Sequence, residues 1–225
     1  VPIYKKVNKD FFKKWSKDMA YVLGFFAADG YITVNKRGGQ FWSIQIIDRG
    51  LLEKIKIAVD SEHKITTKNS KKKDGKSFRL QIGSIEMCDD LRSLGYGERK
   101  TKNLVVPNIP NKYFSEFVRG YFDGDGNVWV GLVHKDRKKP TLIIYTAFTS
   151  CSKVFLDALK IKLESFDVYG GTIRQGKGNY YRLVYSVTNS LKLCGFMYNG
   201  VSVVGNNLYL QRKKKVFDSF IKMRS

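Results

Sequence analysis

Two aspartates, each placed just before a glycine at the end of an apolar stretch rich in small residues, are the side chains of this sequence best placed to do chemistry. Asp29 closes the stretch 19–30 (MAYVLGFFAADG), and Asp125 closes 115–126 (SEFVRGYFDGDG), 96 positions later. Each stretch reads as a helix whose last turn leaves carbonyl oxygens without intrahelical partners. Carboxylates beside the free carbonyls of Ala28 and Gly124 are hard oxygen donors of the kind Mg²⁺ accepts while keeping several waters. A helix C-terminus is electronegative and does not by itself favour a carboxylate, so a divalent cation resolves the conflict. The remaining reactive inventory is thin. Two histidines, His63 and His134, leave little for chemistry built on clustered imidazoles, and Cys88, Cys151 and Cys194 lack the paired spacing of a zinc site or disulfide framework. Chemistry here rests on carboxylates, metal and lysines. A calcium loop is a competing reading of 123–127 (DGDGN), but its twelfth position is His134 rather than Glu, and the first stretch has Ala27 where the second has Asp123.

The elements that must position these acids repeat. Gly24 matches Gly120, Phe26 matches Phe122, and Asp29-Gly30 matches Asp125-Gly126, so the chain is a tandem duplication. Gly24 with Ala28, and Gly120 with Gly124, lie four apart on one helix face and let two backbones approach closely, bringing the two acids together. Alternating strand patterns follow each helix, 31–35 with 40–47 and 127–133 with 141–149. A helix comes next in each copy (48–55; 152–159), then a second strand pair (63–67 with 77–83; 171–174 with 180–187) and a closing helix (85–94; 189–196). The second copy is longer by eight residues, placed in a basic hairpin loop at 134–140. Each half reads αββαββα, giving an α+β fold of two pseudo-symmetric half-domains, 1–110 and 111–225, with a linker at about 96–112 marked by Pro107 and Pro110. A last helix is expected over about 209–223.

Composition supplies the partner. Lys and Arg number 41 against 20 Asp and Glu, a net charge of +21 that calls for a polyanion. Nucleic acid fits better than a membrane surface, because the basic residues run along the whole chain rather than along one amphipathic helix. No stretch is apolar enough to span a bilayer and the start lacks a signal-peptide core, so a cytoplasmic, nucleoid or organellar-matrix setting is expected rather than secretion.

The segments 22–30 (VLGFFAADG) and 118–126 (VRGYFDGDG) resemble the two motifs of single-chain LAGLIDADG homing endonucleases, and the repeat extends the resemblance over nearly the whole chain. Copy one departs from the pattern at Ala27, where the family often has Asp. The resemblance implies a monomer whose two motif helices pack at the interface of the halves and whose antiparallel sheets form a saddle on double-stranded DNA. It implies two or more divalent ions held by Asp29 and Asp125, with Mg²⁺ the cofactor, Mn²⁺ a substitute and Ca²⁺ a non-cleaving ligand. It implies one cut per strand across the minor groove, leaving short 3′ overhangs, as in intron homing, and no small-molecule substrate. Asp48 and Arg49, with their counterparts Ser152 and Lys153, fall where the family keeps polar groups that organise water. Lys100 resembles the basic residue that approaches the scissile phosphate; for its counterpart, Asn206 and the run 212–215 (RKKK) compete.

Strand alternation predicts the DNA face. Ile32, Val34, Trp42, Ile44 and Ile46 point inward, leaving Thr33, Asn35, Arg37, Ser43 and Gln45 outward, joined by Lys64, Thr66, Lys68, Ser77, Arg79 and Gln81. The second copy offers Trp129, Tyr145, Thr149, Thr172, Arg174, Tyr180 and Arg182. Arg and Gln suit bidentate reading of guanine and adenine in the major groove, which admits a β-ribbon. Loop cations, 71–73 (KKK) and Lys135, Arg137 and Lys138 within 135–139, suit phosphates. Two alternatives share the fold prediction: a relative that does not cleave and serves as an RNA-splicing maturase, and one that serves as a DNA-binding regulator. An endonuclease domain embedded in an intein is disfavoured, because a splicing module would need far more chain than flanks the repeats, so a stand-alone or intron-encoded endonuclease is expected. A basic RNA-binding structural protein would have no reason to place matched acids at matched helix ends.

Overall fold

A computed structural model describes residues 5–69, 75–98, 100–201 and 207–224. The chain forms two compact units, residues 1–100, 107–124 and 202–209 in the first, and 101–106, 125–201 and 210–225 in the second.

The first unit opens with helix α1 (Lys17–Asp29), started by Ser16, whose Oγ accepts from the Met19 N–H at 3.0 Å and so satisfies one of the donors a helix start leaves bare. Strands β1 (Gly30–Val34), β2 (Gln40–Ile46), β3 (Thr66–Asn69) and β4 (Lys76–Gly83) form an antiparallel sheet in the order β1-β2-β4-β3. Helices α2 (Arg49–Ala58) and α3 (Ile85–Ser93) are capped the same way by Asp48 and Ser84. Trp42, Ile44, Leu80 and Ile82 are fully buried, and the Phe12 and Phe26 rings meet Trp42 edge-on. Helix α4 (Phe114–Asp125), entered through a 3₁₀ turn at Asn111–Tyr113, belongs to this unit up to Gly124.

The second unit carries β5 (Gly126–Val133), β6 (Thr141–Ser150), β7 (Thr172–Gln175) and β8 (Tyr181–Tyr185), antiparallel in the order β5-β6-β8-β7. Helices α5 (Lys153–Glu164), capped by Ser152, α6 (Val187–Tyr198) and α7 (Gln211–Arg224) complete it, with α7 lying against β5. The duplication is exact in register: Gly30 pairs with Ile44 and Ile44 with Leu80, as Gly126 pairs with Phe148 and Phe148 with Leu183. The basic loop at 134–140 joins β5 to β6 as expected, but most of the extra length of the second copy lies in the strands, since β5 and β6 have 8 and 10 residues where β1 and β2 have 5 and 7.

The element order matches the α+β, doubled αββαββα expectation, with differences at the edges. Strand β3 begins at Thr66 rather than at His63, where the Ser61 hydroxyl bonds both the N–H and Nδ1 of His63 and takes that N–H from the ladder. Lys64 therefore precedes the strand. Val34, on the inward side, is 52% exposed because it ends an edge strand.

Candidate active site and nucleic-acid interface

Helices α1 and α4 touch backbone to backbone. A Cβ added to Gly24 would stand 2.1 Å from the Phe117 carbonyl oxygen, and one added to Gly120 would stand 2.1 Å from that of Tyr21. Further along, a Cβ on Gly124 would stand 2.3 Å from the Ala28 Cβ and 3.3 Å from Asp29 Oδ2, which puts the Asp29 carboxylate beside the end of α4. The four small residues read as a close-packing face lie in this contact. Asp123, 1% exposed, accepts from the Tyr21 hydroxyl at 2.7 Å, so this acid ties the two helices together inside the unit. Asp125 is exposed at the first residue of the second unit.

In each unit a buried lysine reaches a helix end. Lys100, 9% exposed, donates to the Ala27 carbonyl at 2.7 Å and the Ala28 carbonyl at 3.4 Å, with its ammonium over the Phe26 ring. Lys213, 5% exposed, donates to the Gly126 carbonyl at 2.6 Å, one residue beyond Asp125. Lys213 lies inside the run 212–215 that competed for the role of Lys100's counterpart; the other competitor, Asn206, and the loop lysines 71–73 lie outside the described residues. The sequence could not single Lys213 out of four consecutive cations. The distinguishing signal is its spacing from Leu210, Phe217 and Phe220, which puts it on the buried face of α7.

The donor set suits a hard cation. Among the described residues no three or more His, Cys, Asp or Glu side chains gather into a metal-binding cluster. A cation at either helix end would draw on carboxylate, backbone carbonyl and water, the mixture that Mg²⁺ takes. The Ala28 carbonyl already accepts one hydrogen bond from Lys100, leaving a second lone pair. Asp48 and Ser152 spend a side-chain oxygen each on capping, and the Ser152 hydroxyl also donates to the Leu104 carbonyl. Arg49 and Lys153 pair with Glu53 and Asp157 one turn along their own helices.

The outward sheet faces are polar with aromatic breaks. In the first unit Thr33, Thr66, Lys68 and Gln45 are exposed, and Ser77, Arg79 and Gln81 are half-buried. Gln45 Nε2 donates to the Ser77 hydroxyl at 3.0 Å, which in turn donates to the Lys68 carbonyl. Ser43 stands on this face yet is fully buried, between Tyr31 and Gln81 in the ladder, so it is covered by its larger neighbours rather than presented. Asn35 Oδ1 accepts the N–H groups of Arg37 and Gly39, so it builds the β1–β2 turn and leaves Arg37 at the exposed tip. Tyr31 and Phe41, paired with Ser43 and Thr33, share this face, and a polar-outward alternation does not pick out aromatics that stand on it. In the second unit Trp129, Thr172, Arg174, Lys135, Arg137 and Lys138 are exposed, and Tyr145, Thr149, Tyr180 and Arg182 half-buried. Among the described residues no helix is long and apolar enough to cross a membrane.

A family profile described as the LAGLIDADG-like domain matches residues 16–93 and 113–195, one match per repeat. Among curated proteins, a DNA-directed RNA polymerase subunit Rpo1C of Methanocaldococcus jannaschii is 29% identical over 161 residues, covering 69% of this chain and 16% of that protein. A probable translation initiation factor IF-2 of Thermococcus kodakarensis is 37% identical over 103 residues, covering 44% of this chain and 8% of its own length. Elongation factor 2 of Methanopyrus kandleri is 25% identical over 185 residues, 80% of this chain and 13% of that one. The chain thus spans a small fraction of the curated relatives it matches. Solved structures share the fold: the meganuclease I-AabMI bound to uncleaved DNA at TM-score 0.60 and 17% identity, covering 90% of this chain and 88% of that one. The homing endonuclease I-SmaMI bound to cleaved DNA aligns at TM-score 0.61 and 15% identity, covering 93% and 89%.

Proposed function

Because the chain belongs to the LAGLIDADG-like domain family, we propose that it is a homing endonuclease: it binds a long double-stranded DNA target as a monomer and hydrolyses one phosphodiester per strand across the minor groove, leaving short 3′ overhangs. One observation carries the reading. At the end of each motif helix an aspartate, Asp29 or Asp125, stands within a residue or two of a carbonyl to which a buried lysine donates, Lys100 in one unit and Lys213 in the other. A fold kept only for binding has no need to bury two lysines there.

Asp29 and Asp125, with the Ala28 and Gly124 carbonyls, would hold the divalent ions, and Mg²⁺ so bound supplies charge stabilisation of the phosphoryl transition state and a nucleophile at neutral pH. Lys100 and Lys213, held by carbonyls and shielded from water, place fixed positive charge where a scissile phosphate accumulates negative charge. Asp123 is sealed against Tyr21 and serves packing. Arg49, Lys153, Asp48 and Ser152 stand at the starts of α2 and α5, where they order water around the reacting phosphates. The polar sheet faces read bases, and Lys135, Arg137 and Lys138 neutralise phosphates.

The context of the gene has a second reading. The matches to an RNA polymerase subunit, an initiation factor and an elongation factor each take up 8% to 16% of proteins with unrelated names. That relation is expected of an endonuclease carried inside host proteins, as in an intein, more than of one encoded alone in an intron; the reading frame on either side of this segment tests it.

The test of the activity is cleavage of a randomised duplex library by the full chain with Mg²⁺ or Mn²⁺, and with Ca²⁺ as the binding control. Specific double-strand products are expected, lost in Asp29→Asn and in Asp125→Asn while binding in Ca²⁺ survives. Cleavage unchanged in both variants overturns the catalytic assignment; specific binding without cleavage by the unmodified chain identifies a non-cleaving regulator or maturase.

A further inference from the structure

The ladder register makes Arg79 and Arg182 the same residue of the repeat. Each precedes the buried leucine that pairs with the last core residue of the central strand, Leu80 with Ile44 and Leu183 with Phe148. Each stands on the outward face: Arg79 opposite Gln45 and Thr66, Arg182 opposite Thr149 and Arg174. In both, Nε is buried and has no hydrogen-bond partner, whereas the two terminal nitrogens are neither buried nor bonded within the described residues. Among the described residues neither arginine has an acid partner, although the chain has 20 acids and uses exposed ones to pair Arg49 and Arg92.

This state costs free energy twice. A buried N–H without an acceptor forfeits its hydration. In the second unit Arg174 and Arg182 sit directly opposite each other across β7 and β8, a like-charge pair that disfavours the sheet. What the cost leaves is a guanidinium whose Nε is buried while its two terminal nitrogens stay unspent on the outward face. Terminal N–H₂ groups so left unspent can meet the O6 and N7 acceptors that guanine presents in the major groove.

We infer that Arg79 and Arg182 are the paired specificity anchors of the two sheets, each reading one guanine, so that the target carries a G·C pair at the corresponding position of both half-sites. The neighbours differ between copies. Gln45, held by Ser77, stands beside Arg79, and Thr149 beside Arg182, so the matched guanines are flanked by unmatched bases and the target is only partly symmetric. This inference rests on the reading of the sheets as a DNA-binding surface.

The experiment is binding in Ca²⁺ of the full chain and its Arg79→Gln and Arg182→Gln variants to a library of duplexes with every single-base substitution of the selected target. Replacing the guanine of one half-site should weaken binding by the unmodified chain by about tenfold to a hundredfold, the usual discrimination of a bidentate pair. Arg79→Gln should erase that penalty in one half-site and leave it in the other, and Arg182→Gln should do the reverse. Unchanged binding to half-sites that the variant does not read shows that each variant is folded. Penalties that persist in both variants, or a target whose half-sites share no such guanine, overturn the paired assignment while leaving specific DNA binding intact. Flat affinity across the whole library overturns the DNA-reading surface itself, and the assignment with it.

Discussion

Replacing Gly120 by alanine tests the claim that α1 and α4 are held at backbone contact. The new Cβ would stand 2.1 Å from the Tyr21 carbonyl oxygen and 2.9 Å from the Phe25 nitrogen, both backbone atoms of a helix that cannot yield by a rotamer change. Relief requires the helices to part by roughly 1 Å, the shortfall against ordinary van der Waals separation. Parting them loosens contacts on both sides of Gly24, which faces the Phe117 carbonyl in the same way, and strains the Tyr21–Asp123 hydrogen bond. Overpacking of this kind costs about 3 kcal/mol at the upper end of its range. Alanine returns about 1 kcal/mol as a better helix former. The net loss of about 2 kcal/mol corresponds to a fall in Tm of about 4–8 °C for a chain of this size. Thermal and urea unfolding of the purified protein give both numbers. Gly97→Ala is the control, since a Cβ there meets nothing within 4 Å and its backbone lies outside the left-handed region. A Gly120→Ala protein as stable as Gly97→Ala would refute the backbone contact. So would a gain in stability.

Three further outcomes follow from the same geometry. Lys213→Met should cut DNA cleavage on the order of a hundredfold, the usual effect of removing one preorganised donor, while Lys214→Met, which loses only a surface pair with Asp218, should not; equal effects would remove Lys213 from the site. Burial pushes the Cys88 thiol up to about 11 and the Cys194 thiol up to about 12, and Cys151 is exposed, so titration of the native protein with a thiol reagent at mildly alkaline pH should show one fast thiol, and two fast thiols would contradict the burial. Burial, then the charges of Lys5 and Lys56, lower the His63 pKa, so above its ordinary value of 6.5 both folded and unfolded states are neutral there, and as pH falls below 6.5 the unfolded state takes the proton first and stability declines; the urea midpoint difference between the unmodified chain and His63→Gln should change with pH only in that window, and a constant difference would refute it.

The sequence was most legible where a pattern was repeated. The doubled Gly-x-x-x-small face, the strand pairs and the loop at 134–140 were read from spacing, because each has a period or a matched copy. Side chains whose role is set by neighbours far along the chain were not. Lys213 looks like one of four solvated cations until α7 turns it toward Gly126, 87 positions away. Glu116 and Arg119, 5% and 6% exposed, are charges inside a motif helix, and nothing local marks them as buried. Ser43 obeys the outward alternation and is still covered, since alternation gives the face of a residue but not the size of what stands beside it. Phe41 shows the converse: an aromatic on the polar face, with its ring against Gly83, where period-two reasoning expects none.

Helix α4 packs with residues made long before it, Tyr21 with Asp123 across 102 positions, although the strand it leads into belongs to the other unit. The first unit is therefore unfinished when its own sheet has been synthesised. A nascent chain must expose the Gly24 face until residue 124 has emerged from the ribosome, and the loop-closure entropy of that late docking falls on the slow, non-local part of folding. The surroundings of the first acid are therefore completed only once the second motif exists, since the end of α4 stands beside Asp29.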